Sequence, residues 1–135
     1  MESILITGAA SGIGAATVKK IASPNIAFTL TTKSNKEGLE NITKIAQKKG
    51  AYVNILYGDL SDKKFLQELV ELGRKKTGRI DKLIANAGYA NKQKFGEFNY
   101  EQINQSMQTM AFSFSEIINL CLGDFKLSQS GRIIT

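Results

Sequence analysis

The sequence predicts an α/β domain built on one parallel β-sheet with right-handed crossovers. Short apolar runs that suit buried strands alternate four times with longer segments whose apolar residues recur at helical spacing. A turn that contains three glycines joins the first strand to the first helix. The chain has 135 residues, of which 42% are hydrophobic and 22% are charged, so a core can form without a disulfide or a metal. We therefore expect a single domain over residues 1–135.

The first two strand and helix pairs are predicted within residues 3–50. Ser3–Thr7 is a mostly β-branched run that ends at Gly8, and the first helix follows the glycine turn. Pro24 ends that helix, and Ile26–Thr32 is a second strand rich in β-branched residues. The second helix stops at Gly50. The apolar residues that mark the two helices are Ala15, Val18, Ile21 and Ala22 in the first, and Leu39, Ile42, Ile45 and Ala46 in the second.

Three more strands and two more helices are predicted in the second half. Ala51–Leu56 is strand three, and Ser61 suits the N-cap of a third helix that runs toward Gly78. Lys82–Ala85 is strand four, and Gly131–Thr135 begins strand five. Between them lie a polar loop and one long helix. The apolar residues of this helix are spaced four and three apart, which predicts one continuous buried stripe: Ile103, Met107, Met110, Phe114, Ile117 and Cys121.

The residue inventory excludes several kinds of site. Histidine is absent, so a Ser-His-Asp triad, a Cys-His pair and any zinc site that needs an imidazole are excluded. The single Cys121 can form neither an intrachain disulfide nor a cysteine-based metal cluster. We therefore expect no metal site and a cytoplasmic protein.

Neither a membrane nor a nucleic acid is an expected partner. The apolar run Ile4–Ile6 is too short for a secretory signal, and polar residues interrupt the apolar stretch Met110–Leu122, which excludes a membrane span. The net charge is +6, but the positive residues are dispersed along the chain. Its lysine pairs fall near predicted helix ends, where cations complement the helix dipole.

The turn Thr7–Gly14 has glycines spaced four and two apart between a strand and a helix. Such glycines allow a sharp turn, let backbone N–H groups approach a pyrophosphate, and let the helix pack close to the strand. The helix N-terminus then favours the anion. No Gly-Lys-Ser/Thr follows, so the turn is not a Walker A loop. Taken alone, the same pattern also suits an ordinary glycine-rich turn.

Three other segments should meet this turn, because ligands of such sheets bind beyond the carboxyl ends of the strands. They are Thr32–Lys33 after strand two, Asp59–Leu60 after strand three, and Asn86–Gly88 after strand four. We expect all four segments to converge on one edge of the sheet.

These segments together resemble the short-chain dehydrogenase/reductase family. Thr7–Gly14 matches its motif Thr-Gly-x-x-x-Gly-Ile-Gly in full, and Asp59–Leu60 matches its Asp-Leu/Val after strand three. Ala85–Gly88 matches Asn-Asn-Ala-Gly except at the first position, and Gly131–Ile133 matches Gly-Arg-Ile. The resemblance extends over the whole chain. It implies a Rossmann-like, doubly wound parallel sheet in the order 3-2-1-4-5 that binds NAD(P).

The resemblance also implies the residues that contact the cofactor. They are Gly8, Ser11, Gly12, Ile13, Gly14, Lys33, Asp59, Leu60, Asn86, Ala87 and Gly88. Three positions have structural alternatives. Asp59 suits a cap of helix three as well as a contact with adenine, and Asn86 suits a strand-end turn as well as a contact with the ribose. The Thr7 hydroxyl suits a tie between the glycine loop and strand four.

The choice of cofactor is read at the end of strand two. An acid there marks NAD, whereas a cation marks the 2′-phosphate of NADP. Thr32 and Lys33 occupy this place and no acid does, so we expect a preference for NADP(H). Ser11 argues the other way, because many NADP-using relatives carry Arg or Lys there.

The catalytic residues implied by the family are not found in these 135 residues. The family's chemistry uses a serine, a Tyr-x-x-x-Lys pair and an asparagine in helix four. None of the four tyrosines is followed by lysine four residues later, although Tyr89 and Lys92 are one residue short of that spacing. Met110 stands where the asparagine is expected, and its place in the apolar stripe predicts a core residue, whereas the neighbouring Gln108 points to a different face.

The sequence therefore predicts a chain truncated after the start of strand five, with the catalytic half absent. We expect it to bind the dinucleotide weakly, to catalyse nothing alone and to self-associate, because strand five forms an open edge. The alternatives are a non-catalytic dinucleotide-binding or regulatory module and a fragment without function.

Overall fold

The computed structural model describes residues 1–90, 93–97 and 99–135. The described residues form five strands, which are β1 (Glu2–Thr7), β2 (Ile26–Thr32), β3 (Tyr52–Tyr57), β4 (Lys82–Ala85) and β5 (Arg132–Ile134). They also form five α-helices, which are α1 (Gly12–Ile21), α2 (Lys36–Lys48), α3 (Lys63–Arg74), α4 (Tyr100–Met107) and α5 (Ser113–Leu127). One π-helical turn, Gln108–Phe112, joins α4 to α5. Among the described helices, none is long and apolar enough to cross a membrane.

The five strands form one parallel sheet in the order β3-β2-β1-β4-β5, which confirms the predicted topology. Successive residues of β1 point to opposite faces, so each face has its own core. Ile4 and Ile6 pack with residues of α1 and α2, whereas Leu5 packs with residues of α3 and α5. Helices thus cover both faces, and β1 is buried at the centre of the sheet.

Two buried carboxylates close the amino-terminal end of the sheet. Asp81, just before β4, accepts hydrogen bonds from the Ser3 N–H at 2.9 Å, from Arg79 Nε at 2.7 Å and from Ser128 Oγ at 2.7 Å. Asp124 in α5 is likewise buried among donors. Burial acts to raise the pKa of Asp81, but the bonds from Arg79, Ser3 and Ser128 hold it below its ordinary value. The opposite, carboxyl-terminal end of the sheet remains open.

The start of helix three differs from the prediction. The N-cap of α3 is Asp62, whose side chain accepts from the Lys64 N–H at 2.9 Å, and not Ser61. Ser61 is already engaged, because its N–H and its hydroxyl both donate to Asp59 Oδ1, at 2.9 and 2.8 Å. Asp59 is therefore not the cap of this helix either. It holds the turn between β3 and α3.

The prediction of a long fourth helix is confirmed, because α4, the π turn and α5 follow one another without a gap, but the prediction of one continuous buried stripe along it is wrong. The π turn places extra residues between α4 and α5, so that apolar residues spaced four and three apart do not stay on one face. Ile117 and Cys121 in α5 are buried, whereas Ile103 and Met107 in α4 are exposed. Only the part of the stripe that packs against α3 belongs to the core.

Candidate dinucleotide-binding cleft

A cleft of about 500 Å³ opens beyond the carboxyl ends of β1, β2, β3 and β4. Its size is within the range of small-molecule sites. All the residues predicted to contact the cofactor line it except Gly14. The described residues that line it are Gly8, Ala10, Ser11, Gly12, Ile13, Thr31, Thr32, Lys33, Ser34, Asn35, Asp59, Leu60, Asn86, Ala87, Gly88, Tyr89 and Thr109. The four segments that the sequence predicts to converge do meet here.

The three glycines of the loop after β1 differ in their surroundings. Gly8 and Gly12 have φ angles of 64° and 53°, in the left-handed region that favours glycine. A Cβ on Gly8 would lie 2.7 Å from the Ala87 Cα, and one on Gly14 would lie 2.5 Å from the Gly8 carbonyl oxygen. A Cβ on Gly12 would meet nothing within 4 Å. Gly8 and Gly14 thus pack the loop against its neighbours, whereas Gly12 borders open space in the cleft.

The amino terminus of α1 also faces the cleft. Ser11 is the N-cap, and within the described part of the chain its side chain makes no capping hydrogen bond. The first turn of α1 contains no acidic residue among those described. A helix N-terminus with free N–H groups and no nearby carboxylate attracts an anion. The open Gly12 and this helix end therefore fit a pyrophosphate.

Hydrogen bonds from three strand ends fix the shape of the loop. The Ala87 N–H donates to Thr7 Oγ1 at 3.1 Å, which confirms that the Thr7 hydroxyl ties β1 to the segment after β4. Asn86 Nδ2 donates to the Gly8 carbonyl at 2.9 Å and more weakly to that of Thr7 at 3.3 Å. The Ala9 N–H donates to the Thr31 carbonyl at 3.1 Å. Asn86 thus ties the segment after β4 to the loop after β1, a role that neither of its two predicted alternatives describes, and its contact with a ribose stays a prediction.

Among the described residues that line the cleft, the two charged side chains contact each other. Lys33 Nζ lies 2.6 Å from Asp59 Oδ2. The Lys33 hydrogen bond, together with the bond from the Ser61 N–H, lowers the pKa of Asp59 to about 2. The same contact raises the pKa of Lys33. The sequence predicts separate roles for these residues, one at adenine and one at a 2′-phosphate, whereas the structure joins them in an ion pair.

Met110 does not have the core position that its spacing predicts. Its side chain is 42% exposed, and its sulfur lies 3.0 Å from the place that a Cβ on Gly88 would take. The preceding residue, Thr109, lines the cleft instead. Both residues lie in the π turn, which the spacing of apolar residues does not indicate. Gln108 lines a separate groove, as its predicted face requires.

Sequence reasoning also missed polar residues beside the expected motifs. Thr31 is buried in β2, and its Oγ1 has no hydrogen-bond partner among the described residues. Ser34 and Asn35 line the cleft just past Lys33, and Tyr89 lines it just past Gly88. Each adjoins a motif residue along the chain, so the convergence of strand ends was the signal that could have found them.

Comparison with known proteins agrees with this architecture. The family model described as short chain dehydrogenase matches residues 2–135. An uncharacterized oxidoreductase of Mycobacterium tuberculosis is 31% identical over 121 residues, which cover 88% of this chain and 35% of that protein. This chain thus spans about a third of the length of that relative.

Two solved structures have the same fold. A short-chain dehydrogenase/reductase mutant of Serratia marcescens superposes with a TM-score of 0.88 at 23% identity, covering 98% of this chain and 53% of that one. L-sorbose reductase from Gluconobacter frateurii, complexed with NADPH and L-sorbose, gives a TM-score of 0.86 at 20% identity, covering 98% of this chain and 51% of that one. The chain spans about half the length of both.

Proposed function

The chain belongs to the short-chain dehydrogenase family, and we propose on this premise that it is the cofactor-binding half of an NAD(P)-dependent oxidoreductase that acts on a carbonyl or an alcohol. The observation that carries the proposal is the open, left-handed Gly12 at the uncapped amino terminus of α1. When bound, the nicotinamide cofactor supplies or accepts the hydride. The roles of this chain are to bind and to orient.

Each segment of the cleft would hold a different part of the dinucleotide. The N–H groups around Gly12 and Ile13 would bind the pyrophosphate. Asp59 and Leu60 would border the adenine, and Asn86–Gly88 would border a ribose and lead toward the nicotinamide. Because Asn86 and Thr7 already tie these segments together, the site is preformed, so little ordering should accompany binding.

We propose NADP(H) as the preferred cofactor. Thr32 is the last residue of β2 and Lys33 follows it, whereas the only acidic side chain of the described cleft lining, Asp59, lies just past the neighbouring β3. The structural neighbour from Gluconobacter frateurii contains NADPH. Parallel titrations with NADPH and NADH, followed by calorimetry, would test the preference. Equal or tighter binding of NADH that Lys33→Ala leaves unchanged would contradict it.

The Gly12→Ala substitution tests the site itself. It strains a left-handed residue and puts a methyl group where the pyrophosphate would approach, so we expect NADPH affinity to fall about tenfold or more. Gly78→Ala is the matched control, because Gly78 also has a positive φ of 78° and nothing within 4 Å of its Cβ position, but lies outside the cleft. If both variants retain NADPH binding, or lose it equally, the site is misassigned.

We propose that these 135 residues bind the cofactor without turning over a substrate. The chain contains no Tyr-x-x-x-Lys pair, and Met110 occupies the place implied for the relay asparagine. Incubation with NADPH and a panel of aldehydes and ketones should leave the absorbance at 340 nm unchanged. Steady NADPH consumption by this chain would refute the proposal.

A non-catalytic dinucleotide-binding or regulatory module is the second candidate function. Met110 favours this second function. Its thioether lies against Gly88 and cannot hold the water molecules of a proton relay, as the side-chain amide of the implied asparagine would. Reading the coding sequence past Thr135 separates the two. A continuing frame with Ser and Tyr-x-x-x-Lys favours the enzyme, and a stop codon favours the module.

We also propose that the protein self-associates and is cytoplasmic. The side chains of Ile133 and Ile134 in β5 are exposed beside β4, and burial of such groups contributes about 1.5–3 kcal/mol each when complete. Light scattering after size exclusion should give a mass of at least two chains. A monomer at micromolar concentration would contradict self-association.

A further inference from the structure

Two charged side chains of the described cleft lining form an ion pair. Among the described residues that line the cleft, Lys33 and Asp59 are the charged ones, and their contact at 2.6 Å makes the pair neutral. The pair forms because β2 and β3 are neighbours in the sheet. Thr32 pairs with Tyr57, so Lys33 and Asp59 leave the sheet side by side. The sequence alone suggests that Lys33 offers a full positive charge to a ligand. The ion pair with Asp59 reduces that charge.

The two partners are held differently. Asp59 Oδ1 accepts two hydrogen bonds from Ser61, while Oδ2 accepts from Lys33, so the carboxylate keeps its place if the lysine leaves. The Lys33 side chain is 63% exposed, against 34% for Asp59. With a pKa of about 2, Asp59 is negatively charged at every pH at which binding would be measured. The pair thus combines a fixed anion with a cation that can turn toward a ligand.

We propose that Asp59 sets the discrimination between NADPH and NADH by competing with the cofactor's 2′-phosphate for Lys33. This inference rests on the proposed function. A 2′-phosphate that recruits Lys33 must either displace Asp59 from the ammonium group or share that group with it. Displacement loses an ion pair, and sharing brings two anions together. NADH, which lacks the phosphate, meets neither penalty. The pair therefore weakens the preference for NADPH that Lys33 alone would give.

The Asp59→Asn variant tests the competition. Asparagine keeps an acceptor oxygen for Ser61 but has no charge. We expect the ratio of Kd for NADH to Kd for NADPH to rise about 1.4- to 5-fold, the range to which the measured energies of exposed ion pairs convert. Loss of an adenine contact would weaken both cofactors equally and cancel in the ratio. In a Lys33→Met background, the same Asp59→Asn change should have a smaller effect on the ratio.

The matched control is Asp62→Asn. It removes the same charge three residues along the chain, outside the cleft lining, and asparagine is as good an N-cap as aspartate. The control should leave the ratio unchanged. A ratio that stays constant or falls in Asp59→Asn overturns the competition, because Asp59 would then be idle or would orient Lys33 for the phosphate. An equal rise in Asp62→Asn, or an undiminished rise without Lys33, also overturns it. If the wild-type chain binds neither dinucleotide, the proposed function fails and this inference fails with it.

Discussion

Glycines that look equivalent in the motif of the first loop have different physical reasons to be glycine. Gly12 borders open space in the cleft, so a methyl group there would meet the ligand and no neighbouring atom of the described residues. Gly14 has no open space, because the loop carbonyl of Gly8 and the amide of Asn86 lie within 3 Å of its Cβ position. The motif thus combines one residue for the ligand with others for the packing of the loop.

Gly14→Ala should therefore destabilise the fold itself. A methyl group 2.5 Å from a backbone oxygen forces the helix away from the loop, at a cost of about 1–3 kcal/mol. Gly123→Ala in α5 is the control, since it meets nothing within 4 Å and should stabilise the helix by about 0.5–1 kcal/mol. Urea unfolding of both variants measures the two free energies. Equal stability changes would contradict the packing at Gly14.

Thr7 and Thr31 are a second pair of similar residues whose substitution should affect the free energy of unfolding differently. They are neighbours in the register of β1 and β2, and both are buried. Thr7 Oγ1 accepts the Ala87 N–H, whereas Thr31 Oγ1 has no partner among the described residues. Thr7→Val should lose about 1–3 kcal/mol because it leaves a donor unpaired, and Thr31→Val should be neutral or stabilising. Thermal or urea unfolding of the two variants measures these stability changes. A destabilised Thr31→Val variant would show that the Thr31 hydroxyl makes a hydrogen bond.

At the scale of elements, the strands and the topology could be predicted, whereas the π turn within the long fourth helix could not. β1 and β2 are buried on both faces, so their residues are continuous apolar and β-branched runs that indicate strands directly. The interruption between α4 and α5 leaves no such trace, because a π turn requires no special residue. The Lys33–Asp59 pair was equally unpredictable, since it depends on how two side chains turn after separate strands.

The fourth helix offers a direct comparison between the sequence pattern and the structure. The apolar stripe treats Ile103 and Ile117 alike, but Ile103 is 37% exposed and Ile117 is 1% exposed. Ile117→Ala should cost about 2–5 kcal/mol, as buried isoleucines do. Ile103→Ala should cost well under half of that loss. Chemical denaturation of the two variants gives their free energies of unfolding. Equal losses of stability would mean that Ile103 is as buried as Ile117, as the continuous stripe predicts.

At the scale of the whole molecule, the two ends of the sheet have opposite electrostatic designs. The carboxyl end is an open cleft with a neutral ion pair at its rim, whereas the amino end is closed by carboxylates buried among donors. Asp81 joins segments far apart in the chain, because it binds the backbone of Ser3 and the hydroxyl of Ser128, and its carbonyl accepts from the Arg132 N–H. Its carboxylate therefore joins β1 and the segment after α5 to the start of β4, whereas its backbone carbonyl makes the contact with β5.

The stability of the molecule should consequently fall in acid through Asp81. Its pKa is lowered in the folded state, so its contribution is fully present above the ordinary value of 3.8 and disappears as the pH falls through the lower folded value. Asp81→Asn should cost about 1–3 kcal/mol at pH 7, because asparagine keeps only one of the two acceptor oxygens and leaves a buried donor of Ser3 or Ser128 without a partner. Urea midpoints measured between pH 7 and pH 2.5 should converge for the wild type and the variant at the acid end. If the urea midpoints of the wild type and the variant instead differ by the same amount at pH 7 and at pH 2.5, the charge of Asp81 does not stabilise the amino end of the sheet.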